Sequence, residues 1–185
     1  MKARIEDLAS IESQLLQLGA SFQQIIHQSD IYFQHPIQNF AQTDEALRIR
    51  ITDDKSYLTY KGPKIDSISK TREELELEVQ DPLKFIELLK KIGLNPIMQV
   101  VKSRKYYLLN DISISIDAVQ ELGTFIELEL DVPEKTQLPT ARERLFAVFK
   151  QLNISSEKFE RRSYLELLVK YHPLKWVACN WDSTK

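Results

Sequence analysis

The stretch Ala46-Leu47-Arg48-Ile49-Arg50-Ile51 alternates between apolar and basic residues. Successive side chains of a β-strand point to opposite faces, so Arg48 and Arg50 share one face while Leu47, Ile49 and Ile51 share the other. The same segregation recurs along the chain. Tyr57, Thr59 and Lys61 oppose Leu58 and Tyr60, and Arg72, Glu74, Glu76 and Glu78 oppose Leu75, Leu77 and Val79. Lys102, Arg104 and Tyr106 oppose Val101 and Tyr107, with Lys105 breaking the pattern. Ser113, Ser115 and Asp117 oppose Ile112, Ile114 and Ile116, and Phe125, Glu127 and Glu129 oppose Ile126, Leu128 and Leu130. Residues 22 to 34 read as a further strand region.

Between these strands the period changes to that of a helix. Leu8, Ile11, Leu15 and Leu18 form an apolar stripe ending at Gly19, a residue suited to the left-handed position after a helix. Asp81-Pro82 supplies an N-cap and a first helical residue, and Phe85, Ile86, Leu88, Leu89 and Ile92 run to Gly93. A third helix is expected from about Thr140 to Leu152, and a short one near Ser155 or Ser156. Strands that alternate, interrupted by amphipathic helices, predict an α+β fold built on an antiparallel sheet or barrel. Nothing divides the chain internally, so residues 1–170 are expected to form one domain and 171–185 a C-terminal tail whose Trp176 and Trp181 have no place in the pattern.

Composition removes several classes of function. The 185 residues include 43% hydrophobic and 28% charged side chains with a net charge of −2, the balance of a globular domain and not of a basic nucleic-acid binder. The single cysteine, Cys179, can form no internal disulfide or cysteine-based zinc site, which suits a reducing cytosol. No apolar run reaches the roughly 20 residues of a membrane helix, and the N-terminus lacks the apolar core of a signal peptide, so a cytoplasmic protein with no membrane partner is expected. Four scattered glycines exclude a phosphate-binding glycine loop, and His27, His35 and His172 are too isolated to form a histidine metal motif.

Polar strand faces are ordinarily turned to water. Here two features favour convergence instead. The charges are sorted by sign, with Arg48, Arg50, Lys61, Arg72, Lys102 and Arg104 in basic sets and Glu74, Glu76, Glu78, Asp117, Glu127 and Glu129 in acidic ones. The helices also offer apolar stripes to cover the aliphatic face, leaving the charged face available to line a cavity. Guanidinium and ammonium groups bind phosphate oxygens, while carboxylates hold a hard divalent cation, so a metal-bound triphosphate is the natural ligand of such a cavity.

The ordered motifs resemble the CYTH superfamily of triphosphate tunnel metalloenzymes, and within it the class IV adenylyl cyclase group. They are Gln28-Ser29-Asp30-Ile31-Tyr32-Phe33, Ala46-Leu47-Arg48-Ile49-Arg50, Leu58-Thr59-Tyr60-Lys61-Gly62-Pro63 and Lys70-Thr71-Arg72-Glu73-Glu74-Leu75-Glu76. Val101-Lys102-Ser103-Arg104, Asp117-Ala118-Val119, Leu122-Gly123-Thr124-Phe125-Ile126-Glu127-Leu128-Glu129 and Arg162-Ser163-Tyr164-Leu165-Glu166-Leu167-Leu168 complete the set, which spans almost the whole chain.

The resemblance implies a closed antiparallel β-tunnel with a charged interior and helices outside, acting on ATP or another triphosphate with Mg²⁺ or Mn²⁺. Lys2, Arg48, Arg50, Lys61, Arg72, Lys102 and Arg104 would hold phosphates, and Glu74, Glu76, Asp117, Glu127 and Glu129 would face the metal. A homodimer is compatible with it. The implied reaction is conversion of ATP to cyclic AMP and pyrophosphate, with an inorganic or thiamine triphosphatase, or a weakened nucleotide or polyphosphate binder, as alternatives. The family pattern opens on a Glu-x-Glu-x-Lys strand. Lys2 takes the place of its lysine, and the two glutamates would precede Met1. Either the natural start lies upstream or this member lacks part of the metal site and binds divalent cations more weakly.

Overall fold

The computed structural model describes residues 1–64, 72–132 and 135–171. Lys70 and Thr71, the Arg72 side chain and the tail from His172 lie outside the described residues. In chain order the elements are β1 (Lys2–Ile5), α1 (Leu8–Gln17), β2 (Ser21–Gln34), α2 (Phe40–Thr43), β3 (Ala46–Thr52), β4 (Ser56–Lys64), β5 (Arg72–Glu78) and α3 (Pro82–Lys91). They continue with β6 (Asn95–Leu109), β7 (Ile112–Val119), β8 (Gly123–Glu129), α4 (Leu138–Gln151) and α5 (Tyr164–Tyr171). The strands form an antiparallel sheet in the order β1-β8-β7-β6-β2-β3-β4-β5. This is the expected α+β class. Among the described residues the hydrogen-bonded order ends on β1 and β5, with no strand pair joining the two. Among the described residues no helix is long and apolar enough to cross a membrane. The chain forms two compact units, Met1–Ile26 with Lys102–Ser163, and His27–Val101 with Tyr164–Lys185.

In the first unit the alternation places Ile112, Ile114, Ile116, Ile126 and Leu128 on one sheet face. They pack with Ile11 and Leu15 of α1 and with Leu145, Val148, Phe149 and Leu152 of α4. Both helical stripes therefore serve the core as their spacing predicts. Asp7 caps α1 by accepting from Ser10 N at 2.9 Å, and Gly19 leaves the helix at φ +89°, where a Cβ would be strained. Lys105, the residue out of pattern, points to the helix side. Its Nζ and the Tyr107 hydroxyl each donate to Glu12 Oε1 at 2.6 Å, so the exception in the alternation ties β6 to α1.

In the second unit Ile31, Phe33 and Ile49 pack against Ile86 and Leu89 of α3. Asp81 caps α3 through Lys84 N at 3.1 Å, with Pro82 in the first turn and Gly93 at φ +95° beyond its end. The buried stripe is narrower than the apolar one: Leu88 and Ile92 are exposed, Ile92 because it follows the last helical residue. The short α2 has no periodicity from which it could be read. Near Ser155 the chain makes only a 3-10 turn, Ser156–Lys158, and the helix that follows is α5.

Candidate functional site

Antiparallel pairing carries the polar face of the second unit across four strands. Asp30 of β2 is opposite Arg50 of β3, which is opposite Tyr57 of β4 and then Glu78 of β5. The next row is Tyr32, Arg48, Thr59 and Glu76, and the row beyond holds Ala46, Lys61 and Glu74. Asp30 is only 2% exposed and gathers two guanidiniums. Arg50 donates from Nε to Oδ1 at 2.6 Å and from Nη2 to Oδ2 at 2.7 Å, a two-point fork, and Arg48 Nη1 donates to Oδ2 at 3.2 Å. The Arg48 Nε–H is buried with no hydrogen-bond partner, as is Oε1 of Gln28, two residues before Asp30 on the same strand face. Burial, with the Asp30 charge, pushes the Tyr32 hydroxyl pKa up against the pull of Arg48 and Arg50. Lys61 Nζ pairs with Glu74 at 2.6 Å, and Glu76 accepts from the Thr59 hydroxyl at 2.9 Å.

The first unit repeats the arrangement with the strands exchanged. Here the basic residues lie on β6 and the carboxylate on the following strand, with Arg104 opposite Asp117 in the register. Arg104 donates from Nε to Asp117 Oδ1 and from Nη2 to Oδ2, both at 2.6 Å, while Lys102 Nζ reaches Oδ2 at 3.1 Å. Asp117 is 1% exposed and Lys102 4%. Arg104 also meets Glu127 Oε2 at 3.2 Å. Burial alone would favour loss of the Arg104 proton, but the Asp117 and Glu127 carboxylates outweigh it and hold the guanidinium charged. Lys2 lies opposite Glu127 in the register, buried beside the Phe125 ring, and donates to the Arg162 carbonyl. Arg162 in turn forks onto Glu160.

The expected residues thus gather in each unit separately: Arg48, Arg50, Lys61, Glu74 and Glu76 in one, and Lys2, Lys102, Arg104, Asp117, Glu127 and Glu129 in the other. Glu129 is exposed, opposite Ser113 and two residues from Glu127 on the same face. Among the described residues no three His, Cys, Asp or Glu side chains converge on one point. Sequence reading gave no role to Asp30, Tyr32, Thr59 or Glu160. Asp30 and Tyr32 were within reach of the strand rule, since Gln28, Asp30 and Tyr32 alternate with Ile31 and Phe33. The Glu160–Arg162 pair lies outside any strand and leaves no periodic signal.

The sequence model of the CYTH domain matches residues 1–164. A protein of Methanocaldococcus jannaschii named "Putative adenylate cyclase MJ0240" is 42% identical over 167 residues, covering 90% of this chain and 95% of that one. Among solved structures, the PH1819 protein of Pyrococcus horikoshii OT3 superposes with a TM-score of 0.81 at 43% identity, over 92% of this chain and 97% of that one. The Hippeastrum protein named "Putative adenylyl cyclase HpAC1" and described as having a dominant triphosphatase activity superposes with a TM-score of 0.68 over 92% of this chain and 94% of its own. At 20% identity that likeness is one of fold.

Proposed function

The chain belongs to the CYTH domain family, and from that premise we propose that it binds ATP through the basic residues of its polar sheet faces and converts it, with Mg²⁺ or Mn²⁺, to cyclic AMP and pyrophosphate. The family binds triphosphates and generally uses divalent metal ions. The observation that carries the reading is the set of arginines and lysines fixed on polar faces behind which the aliphatic core is packed. Arg48, Arg50 and Lys61 in one unit, and Lys2, Lys102 and Arg104 in the other, are the phosphate contacts, with Arg72 added by its place in the motif. Forked guanidinium groups match phosphate oxygens in geometry as well as charge.

The acidic residues fit a cation that arrives with its substrate. Mg²⁺ commonly takes one or two carboxylates and completes its shell with phosphate oxygens and water. Glu127 and Glu129, sharing a face of β8, are the carboxylates for it, with Glu74 and Glu76 on the other unit's face. Asp117, which accepts from Lys102 and Arg104, is the third carboxylate proposed on that side, holding the two cations beside the metal. When bound, the metal neutralises phosphate charge and eases departure of pyrophosphate. The protein's task is to hold the triphosphate so that the ribose 3′-hydroxyl lies in line with the α-phosphorus, a positioning effect.

Incubation of the full chain with ATP and Mn²⁺, followed by measurement of cyclic AMP, pyrophosphate and orthophosphate together, tests the reading. Cyclic AMP with matching pyrophosphate is expected. Orthophosphate alone, with faster turnover of inorganic or thiamine triphosphate, replaces the cyclase by a triphosphatase, and binding without turnover replaces it by a nucleotide binder. Glu127→Gln is expected to raise the Mn²⁺ concentration needed for half-maximal activity.

A further inference from the structure

Asp30 stands apart from the residues so far given a role. It is almost wholly buried, in the middle of a strand, and its two oxygens receive three donors from two arginines of the neighbouring strand. The fork from Nε and Nη2 of Arg50 fixes the plane of that guanidinium, which a single contact would leave free to rotate. The single bond from Arg48 Nη1 fixes where the other guanidinium lies. Behind the two arginines the carboxylate is closed off, with 3% of its side chain exposed, whereas the Arg48 and Arg50 side chains keep 12% and 19%. An anionic oxygen supplied by a ligand can therefore meet the guanidiniums while the aspartate that orders them stays out of its reach.

We infer that Asp30 is a positioning residue, presetting Arg48 and Arg50 for an anionic phosphate oxygen while making no contact with the ligand itself. The inference rests on the reading of this face as a phosphate-binding one. It has a consequence of definite sign. By charge alone, removing a carboxylate beside two arginines raises the local positive potential and tightens anion binding. Loss of positioning weakens it, because ordering of the guanidiniums must then occur on binding.

Titration calorimetry of the full chain with inorganic tripolyphosphate at fixed ionic strength separates the two, with thermal unfolding confirming that each variant is folded. Arg50→Ala is expected to weaken binding, which tests the phosphate reading. Asp30→Asn, which keeps the shape and removes the charge, is expected to raise Kd at least tenfold. The same change made in an Arg48→Ala, Arg50→Ala background, where only the charge effect is left, is expected not to weaken binding further; a further weakening there would show that Asp30 acts on the fold and not through the two arginines, and would overturn the inference. Unchanged or tighter binding by Asp30→Asn overturns the inference while the phosphate reading stands on Arg50→Ala. Equal binding by wild type and Arg50→Ala, or none by wild type, removes both. Should Asp30→Asn fail to fold, Arg50→Lys decides: it keeps the charge and loses the fork, so weakened binding is expected and wild-type affinity overturns the inference.

Discussion

Around Asp30 two guanidiniums close on one carboxylate. Around Asp117 an arginine forks onto the carboxylate in the same way, but its partner is a lysine, and Arg104 also reaches a second acid, Glu127. The strand order is reversed as well, with the acid on the leading strand in one unit and on the following strand in the other. Burial differs with it. The Lys102 side chain is 3% exposed, whereas those of Arg48 and Arg50 keep 12% and 19%. The difference teaches that one device, a buried aspartate behind a basic pair, is set for different tasks by its surroundings. On one side the cations also meet a second acid, Glu127, while on the other the two guanidiniums have the single aspartate behind them and keep more of their surface open.

The largest expected effect breaks this comparison on stability. Asp117→Ala leaves Lys102 and Arg104 without their shared acid in a buried setting, and removal of one partner from a buried pair costs about 3–5 kcal/mol. Asp30→Ala is expected to lose less, because Arg48 and Arg50 retain more contact with water. Urea denaturation of both variants measures the gap. Equal losses would show that the two aspartates do the same structural work and that the difference in burial is without consequence.

Much of this is legible in the sequence. Alternation gives the face of Arg48, Arg50, Arg104, Asp117 and Glu127, because the other face of their strands carries the buried aliphatic residues and a one-residue slip would invert it; on β5 the rule sorts the charges, but Leu75 and Leu77 opposite them are exposed. Helix caps at Asp7, Asp81, Gly19 and Gly93 follow from local backbone chemistry, and two of these, Asp81 and Gly19, could be named from the sequence in those roles. What could not be read is which acid meets which base. Asp117 is counted with Glu127 and Glu129 in the sequence, and the register adds that its oxygens accept from Arg104. Lys105 reads as an error of pattern until Glu12, 93 residues away in sequence, supplies its partner.

A smaller effect, in acid, sharpens the picture of the first unit. Arg162 holds the Glu160 carboxyl down to about 2 from its usual 4.5. Burial would raise the Glu12 carboxyl, but its hydrogen bonds from Lys105 and Tyr107 outweigh this and hold it low. A carboxyl whose folded pKa is depressed stabilises the protein above its unfolded value and loses that contribution as pH falls through the folded value. Stability is therefore expected to fall from near pH 4.5 toward pH 2, less steeply in Glu160→Gln than in wild type. Denaturant midpoints across that range check it, and parallel curves for the two proteins would reject a linkage through Glu160.

The smallest expected effect returns to the Asp30 side. Gln28 is 5% exposed, lies opposite Thr52 in the register, and buries an amide oxygen that accepts nothing. A buried polar atom left unpaired keeps the cost of its desolvation, on the order of 1–3 kcal/mol. Methionine has similar length and an adaptable shape, so Gln28→Met removes that cost with little change in packing. A gain of about 1 kcal/mol in stability is expected, at the low end of that range because the thioether must still be fitted beside the charged Asp30. Urea denaturation measures it. A loss in place of the gain would mean that the amide finds a partner in solution. If that loss came with weaker binding of ATP and unchanged binding of inorganic tripolyphosphate, the partner would be the nucleoside, and Gln28 would join the face on which Asp30 holds its arginines.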